Sequence, residues 1–271
     1  MKTKELKSGN KIPILGFGTW QLTEETCIEA VKIALEKGYR HIDTAEMYQN
    51  QKEVARGIQD SGIKRQNIFL TSKVWFSNLT KQDLRIALEK TLRELNTDYL
   101  DLYLIHWPNR KVDMSETLKA MDQAKNQGLI KSIGVSNFTI NHLKDVLKAG
   151  VEISVNQVEF HPSLYQRALK KFMDEHGMLL TAYSPTAQGE DFGIDLIQDL
   201  AKKYRKTNSQ IVLNWILSKD AVAIPRSKNP EHIEENLKAL EFEMQESDLK
   251  KIDGLNLNNR LIQPDFADFD Y

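Results

Sequence analysis

Short apolar runs alternate with amphipathic stretches along almost the whole chain. The runs "ILGFGTW" from Ile14, "GYRHID" to Asp43, "NIFLTSKVW" to Trp75 and "DYLDLYLIHW" to Trp107 come first. "IKSIGVSN" to Asn137, "ISVNQVEF" to Phe160, "MLLTAYS" to Ser184 and "AVAIPRS" to Ser227 follow. Several are β-branched or aromatic and flanked by Gly, Asn or Asp, which favours strand over helix. Between them, apolar residues at helical spacing predict helices over 23–37, 51–61, 81–95, 115–127, 140–148, 166–176, 194–203 and 231–240. Thr80, with Asp83 three residues on, reads as the N-cap of the third. Ahead of the first run, "KELKSGNKIP" predicts a hairpin turning at Ser8-Gly9-Asn10.

This alternation amounts to eight strand–helix units, which implies a parallel sheet and, at this number and size, a closed (β/α)8 barrel with an N-terminal β-hairpin. An open doubly wound sheet is the competitor. Its dinucleotide fingerprint needs G-x-G-x-x-G after the first strand, and "GFGTWQ" puts Gln21 at the last position. No Pro/Ser-rich linker or charge block marks a boundary, so residues 1–271 read as one domain.

Composition then narrows the class. A formal net charge of −1 gives no reason to expect nucleic acid or an anionic membrane as partner. The start "MKTKELKSGN" has no apolar core of a leader, and no apolar run approaches a membrane span. Cys27 is the only cysteine, which excludes an internal disulfide or a multi-cysteine metal site. The six histidines form no H-x-H pair of the kind a metal-dependent barrel hydrolase uses. A cytoplasmic monomer without a metal is expected.

In such a barrel the active site lies at the C-terminal ends of the strands. The strand assignment places Asp43 at the second, with Tyr48 just beyond, Lys73 at the third and His106 at the fourth. Ser136 and Asn137 close the fifth, Gln157 the sixth and Tyr183 the seventh, while Arg226, Ser227 and Lys228 follow the eighth. Each has a plain alternative: Asp43 a helix cap, Lys73 a solvated strand end, His106 a core histidine, Tyr48 a half-buried aromatic. At successive strand ends their chemistry is complementary. A free phenol is too weak an acid to give up a proton readily near neutrality. A lysine cation beside it stabilises phenolate and lowers its pKa, a carboxylate keeps that lysine charged, and a histidine hydrogen-bonds a substrate oxygen. The set donates a proton to a carbonyl but holds no hydride source, so a reduction needs a bound cofactor.

"DTAEMY", "SKVW", "LIHWP", "GVSNF", "NQVEFHP", "TAYSP" and "IPRS…EHIEENL" resemble, in order, the motif series of the aldo-keto reductase superfamily, from about Gly16 to Asn256. The compact form is most similar to the bacterial 2,5-diketo-D-gluconate reductase B group, which also reduces methylglyoxal. The resemblance implies a barrel using NADPH without a Gly-rich fingerprint, and a catalytic tetrad of Asp43, Tyr48, Lys73 and His106. It implies that Tyr183 stacks under the nicotinamide and that Ser136, Asn137 and Gln157 hydrogen-bond its carboxamide. Backbone around Thr19 and Trp20 is implied at the nicotinamide ribose, with Asp43 close by, and the loop from Ser184 at the pyrophosphate. Arg226, Ser227 and Lys228 are implied at the 2′-phosphate, Glu235 and Asn236 at the adenine. His232 stands where the family commonly has an arginine that clamps the adenosine end, which implies a weaker preference for NADPH. Gln51 replaces a common glutamate, and Thr186 a common leucine.

The substrate, a small carbonyl compound, is expected to meet Trp20, Tyr48, Trp75, His106 and Trp107. The connections "WPNRKVDM" and "SPTAQGEDFG" are short and the tail "RLIQPDFADFDY" is twelve residues, which predicts a shallow, open mouth suited to methylglyoxal, keto-sugars and short or aromatic aldehydes. The superfamily also includes channel subunits and lens proteins, so a non-catalytic cofactor-binding protein is the alternative. An intact tetrad argues against it.

Overall fold

The computed structural model describes residues 1–255 and 257–271; Asn256, where the motif resemblance ends, lies outside them. The predicted hairpin pairs β1 (Thr3–Glu5) with β2 (Lys11–Pro13), Lys4 opposite Ile12. Its turn uses Gly9 at φ +79°, a left-handed conformation that glycine adopts without strain. Eight strands follow: β3 (Phe17–Gly18), β4 (His41–Asp43), β5 (Phe69–Val74), β6 (Leu102–Ile105), β7 (Ile133–Ser136), β8 (Val155–Glu159), β9 (Leu179–Tyr183) and β10 (Val222–Ala223). Each pairs in parallel with the next in chain order.

The ring closes where Leu15 bridges Ala223, with the Gly16 amide donating to the Ala223 carbonyl at 2.8 Å. The glycines of "GFGTWQ" serve this seam. A Cβ on Gly18 would lie 2.9 Å from the Ile224 carbonyl oxygen, and one on Gly16 would lie 2.5 Å from the His41 ring. The fold is the expected (β/α)8 barrel.

Alternation within the strands sorts the core. On β6, Leu102 and Leu104 pack inside the barrel with Leu6, Ile12, Phe69, Val155 and Val222, whereas Tyr103 and Ile105 join the larger cluster between strands and helices. Leu6 and Ile12 come from the hairpin, which therefore plugs the N-terminal end. Ser8 and Asn10 fix it there through the Ser132 hydroxyl at 2.7 and 2.9 Å. The opposite end stays open for the site.

The predicted helices appear as α1 (Glu24–Lys37), α2 (Gln51–Asp60), α3 (Lys81–Glu94), α4 (Met114–Asn126), α5 (Ile140–Leu147), α6 (Arg167–Glu175) and α7 (Asp195–Tyr204). Thr80 caps α3 as read, its hydroxyl accepting from the Asp83 amide at 3.2 Å. Two helices were not anticipated: α8 (Asn208–Ser218), and α10 (Glu246–Asp253), which comes after the predicted α9 (Pro230–Leu237). In α8 the stretch "QIVLNWI" is buried throughout, so no polar face gives it a helical signature.

Candidate active site

β4 ends at Asp43, and a short 3-10 turn over Glu46–Tyr48 brings the phenol back over the barrel mouth. The turn is pinned from the next strand: the Glu46 carboxylate accepts the Trp75 amide at 3.0 Å and the Asn78 side chain at 2.8 Å. Lys73, near the end of β5, is wholly buried. Its ammonium donates to Asp43 Oδ1 at 2.5 Å, to the Thr44 carbonyl at 2.9 Å and to the Tyr48 hydroxyl at 3.2 Å. All three donor directions of one cation are thus fixed. His106, just beyond β6, lies edge-on to Tyr48 with ring centroids 5.7 Å apart and to Trp75 at 5.2 Å. The four residues named from the strand ends converge.

Burial would strip Lys73 of its proton, but Asp43 and the Tyr48 oxygen hold its pKa above the usual value. For Tyr48 the balance runs against the sequence expectation. Burial raises the phenol, Lys73 pulls it back, Asp43 pushes it up again, and the net is above its ordinary value. The direction of the Lys73 contribution is as read, yet desolvation outweighs it. Tyr48 therefore keeps its proton at neutral pH. His106 is driven well below the ordinary histidine value by burial and then by Lys73, so its ring is neutral. Its Nδ1 is buried without a partner among the described residues, while the ring faces the cavity.

Asp43, Tyr48 and His106 line the floor of a cavity of about 890 Å³, with Lys73 buried behind it and bonded to the first two. Trp20, Trp75, Trp107 and Tyr183 line it, as do Thr19, Ser136, Asn137, Gln157, Ser184 and Arg226. Several of these are already engaged. Thr19 turns its hydroxyl to the Asp43 carbonyl at 3.0 Å. Gln157 donates to Asp43 Oδ2 at 2.7 Å and Ser136 to the Gln157 carbonyl at 2.8 Å. The Asn137 amide donates to the His106 carbonyl at 3.0 Å, and its oxygen accepts the Tyr183 hydroxyl at 2.8 Å. Asn137, at φ +64°, is thereby a strut between β6 and β9 more than an open hydrogen-bonding group.

Ser227, Lys228, His232, Glu235 and Asn236 are not among the lining residues; they continue from Arg226 into α9. The ion pairs of this region join Lys37 and Lys238 to Glu234, leaving the exposed Arg226 and Lys228 without a carboxylate partner among the described residues. Asn236 is buried and its side-chain oxygen accepts the Ser209 hydroxyl at 2.6 Å.

The mouth differs from the shallow one expected. The tail crosses it, contributing Leu261, Ile262, Gln263, Pro264 and Phe266 to the lining, and Gln188, Gly189 and Phe192 join them. Phe266 stacks on Phe76 at 4.7 Å and stands edge-on to Trp75 and Trp107 at 5.6 and 5.4 Å. The "DFADFDY" spacing of aromatics is the signal that counting loop lengths passed over.

A sequence model described as the aldo/keto reductase family matches residues 14–190 and 193–257, so the tail and the pair Asp191-Phe192 lie outside it. The chain is 40% identical to the glyoxal reductase of Bacillus subtilis over 261 residues, 96% of this chain and 94% of that protein. It is 41% identical to methylglyoxal reductase DkgA of Escherichia coli over 261 residues, 95% and 94% of the two chains. Among solved structures, an aldo-keto reductase from a Medee basin deep-sea metagenome library superposes with a TM-score of 0.95 at 35% identity, over 98% of this chain and all of that one.

Proposed function

The chain belongs to the aldo/keto reductase family and is an oxidoreductase acting on carbonyls, and we propose that it reduces small aldehydes and ketones with NADPH, Tyr48 giving the proton. The observation that carries this reading is the buried Lys73 ammonium, joined at once to Asp43 and to the Tyr48 hydroxyl on the cavity floor. When bound, the nicotinamide supplies the hydride. As negative charge develops on the carbonyl oxygen, the Tyr48 proton moves to it and Lys73 stabilises the phenolate left behind. Asp43 keeps Lys73 charged and in place. Neutral His106 offers the same oxygen a hydrogen bond and sets its direction, without competing as an acid.

A dinucleotide suits the residues present. Tyr183 offers a flat ring beside the floor, with Ser136, Asn137 and Gln157 at its edge for the carboxamide, although the protein bonds of Asn137 and Gln157 must be shared or exchanged. Thr19, Trp20 and Ser184 flank the middle of the cavity. Arg226, Ser227 and Lys228 suit a 2′-phosphate, with His232 and Glu235 beyond it; Asn236 contributes by shaping α9. The rings of Trp20, Trp75 and Trp107 make the substrate end apolar and suit uncharged carbonyls such as methylglyoxal, keto-sugars and aromatic aldehydes. The relatives named for glyoxal and methylglyoxal reduction support that class.

Tyr48→Phe tests the assignment. Carbonyl reduction should fall by at least ~10²-fold while NADPH binding, read by fluorescence, is kept. Turnover near that of the unmodified protein would refute the role of Tyr48.

A further inference from the structure

Where β8 runs out, "EFHPS" carries three polar side chains into the interior, and none of them touches the tetrad. Glu159 and His161 are fully buried, Ser163 is 2% exposed, and Asp191, from the segment after β9, is 1% exposed. They form one chain of hydrogen bonds. His161 Nε2 lies 2.9 Å from Glu159 Oε1, His161 Nδ1 lies 2.9 Å from the Ser163 hydroxyl, and that hydroxyl donates to Asp191 Oδ1 at 2.5 Å. The proton count follows. A hydroxyl has one proton, and Ser163 gives it to a carboxylate, so His161 Nδ1 must donate to Ser163. Glu159 only accepts, so Nε2 donates as well. His161 is an imidazolium held between two carboxylates. Burial would lower its pKa, but the hydrogen bonds and charges of Asp191 and Glu159 raise it.

The cluster holds both covers of the cavity. Glu159 accepts the Leu261 amide at 2.8 Å on one oxygen and the Ile262 amide at 2.9 Å on the other, and the Ser163 carbonyl accepts the Asn259 amide at 3.1 Å. Those contacts fix the tail at the residues that line the cavity. Asp191 fixes the Ala187–Gly193 segment, whose Gln188, Gly189 and Phe192 line it too. Packing alone does not require a buried cation with two anions at this place, since well-packed apolar residues of similar volume often serve as well in such positions. The arrangement ties both segments to one buried charge, beside one direct bond between them in which the Asn259 side chain donates to Glu190 at 2.9 Å.

We propose that Glu159, His161, Ser163 and Asp191 are positioning residues that latch the tail and the 187–193 segment together, so that the two covers open jointly and the latch governs how fast the nicotinamide cofactor enters and leaves. This rests on the carbonyl-reductase reading for what passes the covers, but the latch itself does not. Amide hydrogen exchange measures it without turnover. Asp191→Asn keeps the shape and removes one charge. Although Asp191 touches neither residue, exchange at Leu261 and Ile262 should quicken by about tenfold, while amides of α3, on another side of the barrel, stay unchanged. Ser163→Ala, a smaller disturbance, should do the same, and Ser163→Thr, which keeps the hydroxyl, should restore slow exchange. In stopped flow the NADPH dissociation rate should rise with the exchange rate, and single-turnover hydride transfer at saturating NADPH should stay within about twofold. Unchanged exchange at Leu261 and Ile262 in both variants overturns the coupling, and so does acceleration equal to that in α3, which reports general destabilisation. Quickened exchange with an unchanged NADPH dissociation rate removes the cofactor role. A protein that reduces no carbonyl at all refutes the proposed function and leaves the exchange result standing.

Discussion

At the floor of the cavity, Asp43 and Lys73 stand on adjacent strands and His106 just beyond the next; the Lys73 ammonium bonds Asp43 and Tyr48, and Gln157 takes the other Asp43 oxygen. Above it, Phe192, Ile262 and Phe266 hang from an irregular 3-10 segment and from a tail without helix or strand, and they meet the cavity with carbon. The floor sets distances: strand register puts a cation within 2.5 Å of one group and 3.2 Å of another. The roof narrows the opening with apolar side chains, and its tail is anchored on Glu159. In the proposed reading, chemistry that needs fixed geometry sits on the sheet and selection on the segments above it.

The largest effect should come from breaking the floor. Lys73→Met leaves Asp43 buried with Gln157 as its remaining side-chain partner and the phenol with no cation. A loss of ~10²-fold or more in carbonyl reduction is expected, with ~3–5 kcal/mol of destabilisation from the stranded charge. Thermal unfolding and single-turnover rates on the same sample separate the two. Turnover within about tenfold of the unmodified protein would mean that the Tyr48 proton does not depend on Lys73.

The roof should answer differently. Phe266 is 43% exposed, so Phe266→Ala costs little stability but removes one wall of the ring cluster with Trp75, Phe76 and Trp107. An aromatic aldehyde should show a KM about two- to tenfold higher, in line with the worth of an aromatic pair, and an unchanged kcat. Methylglyoxal, which has no ring, should be nearly indifferent. Equal losses for the two substrates would mean that Phe266 holds the tail and does not select.

The same division decides what was legible in the sequence. An acid, a lysine and a histidine interrupting apolar strands stand out by residue type, and a parallel barrel brings all strand ends to one side, so Asp43, Lys73 and His106 followed from pattern alone. What they bond to did not: that Gln157 reaches Asp43 depends on a contact 114 residues apart. The rise in the Tyr48 pKa was misjudged because burial, unlike charge, is not written in the neighbouring letters. Phe266 lies in a tail whose aromatics follow no helical or strand period, and Asp191 looks like any polar loop residue. Gln51 was legible only as a departure. Its amide accepts from Ser72 at 2.7 Å and donates to Glu94 at 2.9 Å, a position where glutamate would face a second carboxylate.

A smaller effect is expected outside both regions, at the far end of the proposed cofactor site. His232 is exposed and begins α9 beside Arg226 and Lys228. His232→Arg adds a permanent charge at a solvated site, so NADPH should bind only about two- to fivefold tighter, the range of an exposed ion pair. NADH, without the 2′-phosphate, should be unaffected. Equal Michaelis constants for NADPH and NADH in the unmodified protein would remove the premise.

The smallest effect at neutral pH is also the sharpest separation of floor from roof, because each region buries a histidine shifted in the opposite sense. His106 is lowered by burial and by Lys73. Its folded state refuses a proton that the unfolded chain takes up near pH ~6.5, so its contribution to stability is present above ~6.5 and is lost as the pH falls towards the folded value. His161 is raised by Asp191 and Glu159 against the pull of burial. Its contribution is fully present below ~6.5 and is lost as the pH rises through the folded value. Acid should therefore weaken the floor and spare the latch, and alkali should do the reverse. After correction for intrinsic exchange rates, the Leu261 and Ile262 amides should lose protection from pH ~6.5 upwards, and the His106 amide, bonded to the Val74 carbonyl at 3.0 Å, from ~6.5 downwards. Protection lost together at both places, in either direction, would show that floor and roof open as one unit.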